Sequence, residues 1–573
     1  MNTRSLKRLF SYLKGSAGLV VLSVIFGILY GCATVAIPYF AGRAIDSLGN
    51  ASELIINLGV ILVLIAVAAC VQFALIKMNN RIAYTIGLNL RNATYAKMHR
   101  VKMAYIDKTS AGKLQSLIIS DVETVSDGML LFLNQFASGL ATILITLAVM
   151  FYINWKISLI VVIFTPVSIA VSTFIAKGAY KSFASQADIR SRQTAYVGES
   201  VKNFRECKIY NVTDERMAGF DGINEQYRKT STKATFLSSI SNPSSRFVNA
   251  LIYAGVVLAG CFAGIGGTIT VGALTTLLAY ANQFMKPFND LSAVYTELSD
   301  SFACLNRVFE YLDSDEIPQE MASEELPDKN KQFDIEFKNV SFSYVEGRPV
   351  LKDISFTVGR GESFAIAGPT GCGKTTLINL LMRYYEPDSG DILINGKSIK
   401  DIPRSELRHY IGFVTQDTWL ADDTVMENIR FSGSHITEEQ VFDACRKSGC
   451  DSFIRKLPKR YNEMIDNDRD DISEGQKQLL TIARAMASDP SIMILDEATS
   501  SVDVVTEDRI QKAVRELLNG RTSIIIAHRL SQITNCDKIV VIDDGKVSEI
   551  GTHDELIANG GFYSRLYASS ISG

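Results

Sequence analysis

The sequence is short of charge for its length. Charged residues make up 21% of the 573 residues, whereas hydrophobic residues make up 47%. A typical soluble protein carries about 25% charge, so part of this chain is expected to lie in lipid. The composition excludes intrinsic disorder and a collagen-like fibre. Basic and acidic residues nearly balance, with a net charge of −3 at pH 7. No overall positive field therefore favours nucleic acid as a partner.

Cysteine pairs with a recognisable spacing are also missing. The nine cysteines are scattered without CxxC or Cys/His spacing. This pattern argues against a zinc site and against a disulfide framework.

Long apolar segments are abundant in the first half of the chain. They are residues 19–40, 54–76, 131–153, 157–174, 247–265 and 272–284. Several reach the roughly 20 residues that a helix needs to cross a bilayer, and the last one is shorter and more polar. Buried helices of a large soluble core are the alternative, which is less favoured because soluble helices usually keep a charged face. We therefore predict six membrane spans.

The connections between these segments alternate in length. Residues 77–128 and 177–246 form long connections that are rich in Lys and Arg. The positive-inside rule places these connections and both termini in the cytoplasm. Few Gly or Pro residues interrupt them, so we expect the membrane helices to continue into the cytoplasm.

The composition changes near residue 312. Residues 313–332 are acidic and contain two prolines without apolar periodicity, which is typical of a linker. Beyond them, short apolar strands alternate with amphipathic helices, as in an α/β domain. The predicted organisation is an all-α membrane domain at 1–312, a linker at 313–332 and an α/β nucleotide-binding domain at 333–573.

Residues 368–375 read GPTGCGKT and fit the phosphate-binding pattern G-x-x-x-x-G-K-[ST]. A predicted strand precedes the loop and a predicted helix follows it, so its N–H groups and the positive helix end can surround phosphates. Lys374 is predicted to contact the β- and γ-phosphates, and Thr375 to ligate Mg²⁺. The residues predicted to bind ATP here are Gly368, Thr370, Gly371, Cys372, Gly373, Lys374, Thr375 and Thr376. We also expect a bulky maleimide on Cys372 to inactivate the ATPase and MgATP to protect it.

A second apolar strand ends in two carboxylates, Asp496 and Glu497. Asp496 is predicted to hold Mg²⁺, directly or through water. Glu497 is predicted to act as a general base or to orient the attacking water during hydrolysis.

Residues 472–476, Ile-Ser-Glu-Gly-Gln, resemble the signature of ATP-binding cassette (ABC) proteins. With six spans before one cassette, nearly the whole chain resembles an exporter-fold ABC half-transporter. The resemblance implies further roles: Tyr344 stacks on adenine, Gln416 lies near Mg²⁺ and the membrane domain, and His528 contacts the γ-phosphate. It also assigns Asp503 to the nucleotide site, and Ser473, Gly475 and Gln476 to the partner's ATP. Residues 105–107 and the helix after Gly112 resemble the first intracellular coupling region.

The family resemblance implies transport across the membrane driven by ATP hydrolysis. Two cassettes bind two ATP molecules head to tail, so the chain needs a second half-transporter and alternates access to a central cavity. Export of an amphipathic small molecule, lipid or peptide is favoured. Import of metal–siderophore complexes on the same fold is the alternative, and a non-pumping channel or regulator is less favoured. The expected location is the bacterial cell membrane, in contact with lipid, with the ATPase domain and both termini in the cytoplasm.

The signature departs from the family pattern at two positions. Glu474 stands where the family has Gly, and Leu479 stands where Arg is common; residues 465–471 are also unusually acidic. Heterodimeric members resemble this arrangement, since one chain keeps the catalytic carboxylate and contributes a deviant signature. We therefore predict a heterodimer, with a homodimer that tolerates Glu474 as the alternative.

Overall fold

A computed structural model describes residues 8–9, 11–12, 17–318, 332–415, 418–433, 435–466, 472–496, 504–526 and 530–572. Internal contacts divide the chain into two compact units. The first comprises Met1–Val101 and Thr109–Asp315, and the second comprises Lys102–Lys108 and Glu316–Gly573.

The first unit is built from long helices. They are α1 (Ala17–Asp46), α2 (Ala51–Met98), then, after α3 (Met103–Lys108) of the second unit, α4 (Ala111–Ser116), α5 (Val122–Ile153), α6 (Trp155–Lys202), α7 (Phe204–Ile209), α8 (Thr213–Ile265) and α9 (Val271–Leu312). A π-helical turn, Leu117–Asp121, joins α4 to α5. Each of the six predicted spans lies inside one of these helices, and several helices extend far beyond the apolar segment, as predicted.

Among the described residues, four helices are long and apolar enough to cross a membrane. They are Ala17–Asp46, Ala51–Met98, Ala111–Ile153 and Arg246–Ile265. Trp155–Val167 forms a shorter apolar helical stretch at the fourth predicted span. The sixth predicted span lies in α9. This helix is not among the four, because its apolar part is short and is followed by polar residues.

Helices α1 and α9 pack closely at the end where α1 finishes. Asp46 Oδ1 accepts a hydrogen bond from the Gly272 amide at 2.8 Å, and Asp46 Oδ2 accepts one from Thr270 Oγ1 at 2.6 Å. A side chain on Gly272 would meet the Gly42 carbonyl oxygen 2.0 Å from its Cβ. Glycine at both positions therefore permits this close approach.

The second unit contains short strands and helices. They are β1 (Ile335–Phe342), β2 (Leu351–Val358), β3 (Ser363–Ala367), α10 (Lys374–Leu381), β4 (Ser389–Ile394), β5 (Lys397–Ser398), α11 (Arg404–Tyr410), β6 (Ile411–Val414), α12 (Val425–Ile429), α13 (Glu438–Ser448), α14 (Asp451–Ile454), α15 (Glu474–Ala487), β7 (Ile492–Asp496), α16 (Val504–Leu518), β8 (Thr522–Ile526), β9 (Lys538–Asp543), β10 (Lys546–Gly551), α17 (His553–Ala558) and α18 (Phe562–Ser572). Single 3₁₀ turns lie at Ile399–Asp401, Arg430–Ser432, Arg460–Asn462 and Leu530–Gln532.

These strands form two sheets. The six-stranded sheet has the order β10-β9-β3-β8-β7-β6, and every neighbouring pair in it is parallel except β10 with β9. The four-stranded sheet, β2-β1-β4-β5, is antiparallel. Apolar residues of both sheets and of α10 share one core, as the buried side chains Phe337, Phe364 and Leu377 illustrate. Helices α13, α15 and α16 form a second core with β6 and β7.

The architecture confirms the predicted fold class, an all-α membrane domain followed by an α/β domain with a phosphate-binding loop. Helix α9 ends at Leu312, and residues 319–331 of the predicted linker lie outside the described residues. The exact domain limits stay a prediction. One feature of the organisation was not foreseen, namely that α3 belongs to the same compact unit as the α/β domain.

The close contact of α1 with α9 yields a stability prediction. Gly272→Ala should lower the free energy of unfolding by about 1–3 kcal/mol, because the new methyl group overpacks the contact. Gly59→Ala is the matched control, since nothing lies within 4 Å of a Cβ at Gly59 in α2. Thermal unfolding of both variants in detergent checks the prediction. Equal midpoints for the two variants would contradict it.

Candidate nucleotide-binding site

The carboxyl ends of four neighbouring parallel strands lie at the same edge of the large sheet. Ile366 of β3 pairs with Ile526 of β8, and Ile526 pairs with Asp496 of β7. Val414 of β6 pairs with Leu495 of β7. Because adjacent strands lie about 4.8 Å apart, Asp496 is placed roughly 10 Å from the strand that leads into the phosphate loop. Ligands of open α/β sheets bind at this edge.

Within two positions of each of these strand ends comes a residue that the sequence predicts to be functional. Gly368 follows β3 and Glu497 follows β7, while Gln416 and His528 come two residues after β6 and β8. Glu497, Gln416 and His528 lie outside the described residues, as does Asp503. Their roles stay predictions.

The phosphate loop has a backbone that only glycine tolerates at Gly368. Its φ is 152°, and a Cβ there would lie 2.3 Å from the Ile542 carbonyl oxygen and 2.7 Å from Cys372 Sγ. Gly373, with φ 106°, is the cap from which α10 begins. The amides of the first turn of α10 have no partner within the helix, so they are available to an anion.

Lys374 lies within the curve of this loop. Its side chain is only 6% exposed, and Nζ donates hydrogen bonds to the carbonyl oxygens of Gly368 at 2.8 Å and Pro369 at 3.0 Å. Thr370, Gly371 and Thr375 of the loop are exposed. A cation, a helix N-terminus and exposed loop atoms thus converge, which fits the phosphates of a nucleotide.

Tyr344 lies beside the first turns of α10. Its hydroxyl donates to Thr376 Oγ1 at 3.3 Å and accepts from Asn379 Nδ2 at 3.2 Å. Tyr344 is 39% exposed, and its ring meets the ring of Tyr385 edge to face, with 5.0 Å between centroids. An exposed aromatic ring next to a phosphate loop fits the predicted stacking on adenine. Asn379 was not predicted, because an Asn in the middle of a helix carries no local signal for this contact.

The residues present also fit Mg²⁺. Asp496 is half-buried at the end of β7, and the Thr375 hydroxyl is exposed in the first turn of α10. Among the described residues, no group of three or more His, Cys, Asp or Glu could hold a metal. Mg²⁺ in phosphate sites commonly takes only one or two protein ligands beside phosphate oxygens and water, so this small set of oxygen donors is sufficient.

The signature segment forms the start of α15. Ser473 caps the helix: its hydroxyl accepts from the Gln476 amide at 3.4 Å, and Gln476 Oε1 accepts from the Ser473 amide at 3.1 Å. Gly475 is buried, whereas Ser473 and Glu474 are exposed. Helix α15 packs in the core of α13 and α16, and α10 packs in the other core.

Glu474 has a partner that the sequence did not predict. Thr418 Oγ1 donates a hydrogen bond to Glu474 Oε1. The two residues are 56 positions apart, so no local pattern could have paired them.

Asp107 of α3 likewise contacts a residue of the α/β domain within the second compact unit. The hydroxyl of Tyr385 donates to Asp107 Oδ2. Burial, together with this carboxylate, raises the pKa of Tyr385, so the phenol keeps its proton at neutral pH. The contact agrees with the coupling role that the resemblance implies for residues 105–107.

Two family models match the chain. The model of the ABC transporter transmembrane region covers residues 20–288, and the ABC transporter model covers residues 351–500. The chain belongs to the ABC transporter family.

Individual proteins extend this result over most of the chain. A fatty acid ABC transporter ATP-binding/permease protein of Mycobacterium bovis is 36% identical, over 89% of this chain and 80% of the relative. An ATP-dependent lipid A-core flippase of Syntrophus aciditrophicus is 30% identical, over 98% of this chain and 94% of the relative. A bacterial Atm1-family ABC exporter with ATP bound shares the fold, with a TM-score of 0.78 over 96% of this chain and 98% of the other, at 24% identity.

Family membership settles the general activity. The chain is an integral membrane protein that binds ATP and couples its hydrolysis to transport, with a cytoplasmic ATPase domain. Membership of the family implies that the chain works in a dimer and has a transported substrate. The importer alternative receives no support from these comparisons.

The position of Cys372 changes the expected labelling. Cys372 is only 6% exposed and burial raises the pKa of its thiol, so little reactive thiolate forms at neutral pH. We now expect a maleimide to modify Cys372 about tenfold or more slowly in the folded protein than after unfolding, and faster as the pH rises toward the raised pKa. Mass spectrometry of the labelled peptides checks this, with Cys372→Ser as the control. Rapid labelling that MgATP prevents would instead support the expectation from sequence.

Proposed function

We propose that this chain is one half of a heterodimeric exporter of a lipid-like amphiphile, and that its phosphate loop forms the more active of two ATP sites. The observation that carries the proposal is the shared strand edge, where the phosphate loop, Asp496 and the segments containing Gln416, Glu497 and His528 begin. The groups that this chain is proposed to contribute to the hydrolysis of one ATP molecule come just after these strand ends in the sequence.

Each of these residues has a proposed task. Lys374 and the loop amides hold the β- and γ-phosphates, while the ring of Tyr344 supports the adenine. Thr375 and Asp496, with Gln416, would hold Mg²⁺, which when bound neutralises the charge that develops on the phosphates. Glu497 takes a proton from the attacking water or orients it, and His528 contacts the γ-phosphate.

The division of the domain into two cores supports a dimeric site. Helix α10, which begins at the phosphate loop, and helix α15, which begins at Ser473, pack in different cores. The proposed ATP therefore lies between this chain's phosphate loop and the partner's signature helix. Ser473, Gly475 and Gln476 in turn face the ATP bound by the partner.

Glu474 supports a heterodimer. A carboxylate at the start of α15 has the same sign as the γ-phosphate that it faces in the proposed dimer. At about 5 Å with an effective dielectric constant near 20, such a pair costs roughly 3 kcal/mol. The site that uses this signature should therefore close more slowly, and the other site should hydrolyse most of the ATP.

Two observations favour an amphiphilic substrate. The relatives are named for fatty acid transport and for flipping of lipid A-core. In the apolar part of α9, Asn282 is exposed, and Gln283 Oε1 is buried with no hydrogen-bond partner among the described residues. Amide groups in an apolar helix can bind the polar head of a substrate whose chain remains in an apolar environment.

Direction and catalysis can be tested together in inside-out membrane vesicles. With ATP outside, an exporter should accumulate a fluorescent lysophospholipid in the lumen. Glu497→Gln should retain ATP binding but lower ATP hydrolysis by at least about a hundredfold, because a general base contributes 10²–10⁴-fold. Glu439→Gln, an exposed glutamate of α13, is the matched control. ATP-driven loss of probe from the lumen would contradict export, and unchanged hydrolysis in the Glu497 variant would exclude it from catalysis.

The heterodimer is tested by producing the chain alone. Its mass in detergent and its ATPase rate should indicate a monomer or a dimer of low activity, and co-production with the cognate half-transporter should restore activity in a 1:1 complex. A stable homodimer with full ATPase activity would contradict the heterodimer and support the alternative.

A further inference from the structure

The segment that follows Gln416, beginning at Thr418, is hydrogen-bonded to the signature helix α15 at two positions. Thr418 donates its hydroxyl to the Glu474 carboxylate at the start of α15. Further along the same helix, Arg484 Nη1 donates to the Trp419 carbonyl oxygen at 3.1 Å. Two consecutive residues of this segment are therefore fixed to one helix.

Arg484 anchors the segment firmly at the second place. Its Nε donates to the Asn428 carbonyl oxygen at 2.8 Å and its Nη2 to Asn428 Oδ1 at 3.0 Å. The guanidinium carbon lies 4.9 Å from the centroid of the Phe431 ring. Burial lowers the pKa of Arg484 to about 10, so the side chain remains charged at neutral pH.

Asn428 also forms hydrogen bonds with the segment itself. Its Oδ1 accepts from the Ala421 amide at 2.8 Å, and its Nδ2 donates to the Ala421 carbonyl oxygen at 2.9 Å. The side chain is 1% exposed. Arg484 and Asn428 thus hold the segment rigidly, and the Thr418–Glu474 hydrogen bond extends this attachment to the first turn of α15.

The contact at the first turn depends on a residue that is unusual for the signature. A Gly at position 474, as in the family pattern, has no side chain to reach Thr418. The carboxylate is also well placed near the positive end of α15, and a hydrogen bond to an ionised acceptor is stronger than a neutral one. Ser473 and Gln476 form hydrogen bonds with each other's backbone amides in the capping box. The hydrogen bond of Glu474 is instead formed with Thr418, outside α15.

We propose that Thr418 and Glu474 are positioning residues that link the two ATP sites of the dimer. Thr418 comes two residues after Gln416, which is predicted to lie near this chain's own Mg²⁺, and Glu474 begins the helix that is predicted to face the partner's ATP. A displacement of the segment on one side is passed through this hydrogen bond to the signature on the other. The inference rests on the proposed placement of ATP, but not on whether the partner is identical.

The test compares two matched pairs of variants in the purified dimer. Thr418→Val removes the hydroxyl and keeps the shape, whereas Thr418→Ser keeps the hydroxyl. Glu474→Ala removes the acceptor, whereas Glu474→Gln keeps an acceptor oxygen. Both Glu474 variants remove the charge, so a difference between their activities does not come from the charge.

We expect kcat for ATP hydrolysis to be about five- to tenfold lower in Thr418→Val than in Thr418→Ser, and lower by a similar factor in Glu474→Ala than in Glu474→Gln, because residues in contact commonly couple by about 1 kcal/mol. KM for ATP should differ little within each pair, because both Glu474 variants remove the same charge and neither Thr418 variant changes a charge. The double variant Thr418→Val/Glu474→Ala should be no slower than Glu474→Ala.

Three results would overturn the link: equal kcat within both pairs, loss of activity in the double variant equal to the product of the single losses, or a change confined to KM. If Glu474→Gln hydrolyses ATP faster than the parent, removal of the negative charge has accelerated the slow site of the proposed heterodimer. That result does not affect the ratio of kcat between Glu474→Ala and Glu474→Gln. Thermal unfolding controls for folding, and if Thr418→Val is unstable, the two Glu474 variants decide the question.

Discussion

The site depends on two positive groups that the fold brings together. The buried ammonium of Lys374 and the N-terminus of α10 lie at the same turn, and both favour negative charge. Hydrogen bonds to the carbonyl oxygens of Gly368 and Pro369 offset part of the cost of burying the cation. A nucleotide phosphate offsets the rest and satisfies the amides of the first turn. Glycine at 368 is required because the Ile542 carbonyl occupies the space of a side chain.

The register of the parallel sheet positions the residues of the site that lie outside this turn. Since Ile366, Ile526 and Asp496 are direct neighbours across β3, β8 and β7, a shift of one residue in either pairing would move the Asp496 carboxylate to the wrong face. Buried apolar side chains on both faces of these strands oppose such a shift. The precision of the site is therefore a consequence of core packing.

The sequence predicted what is encoded locally. The phosphate loop, the strand before Asp496 and the start of α15 at the signature are short patterns with fixed geometry, and the structure places them as expected. The pairings Thr418–Glu474 and Tyr385–Asp107 could not be predicted, because they join residues 56 and 278 positions apart. The orientation of the Cys372 thiol was missed for a related reason: the pattern fixes the path of the loop, whereas the core behind it decides where the side chain lies.

The hydrogen bond of Glu474 also reduces the electrostatic conflict that its charge creates. At about 5 Å from a γ-phosphate the repulsion is roughly 3 kcal/mol at an effective dielectric constant near 20, whereas at about 10 Å it falls to roughly 1.7 kcal/mol. Ionic screening lowers the second value further, because 10 Å is about one Debye length. In the proposed dimer, the Thr418 hydroxyl holds the carboxylate on its own chain, which lowers this repulsion without removing it. The two residues are best understood as a pair, in which the threonine offsets the cost of the charge and the charge strengthens the attachment of the segment to α15.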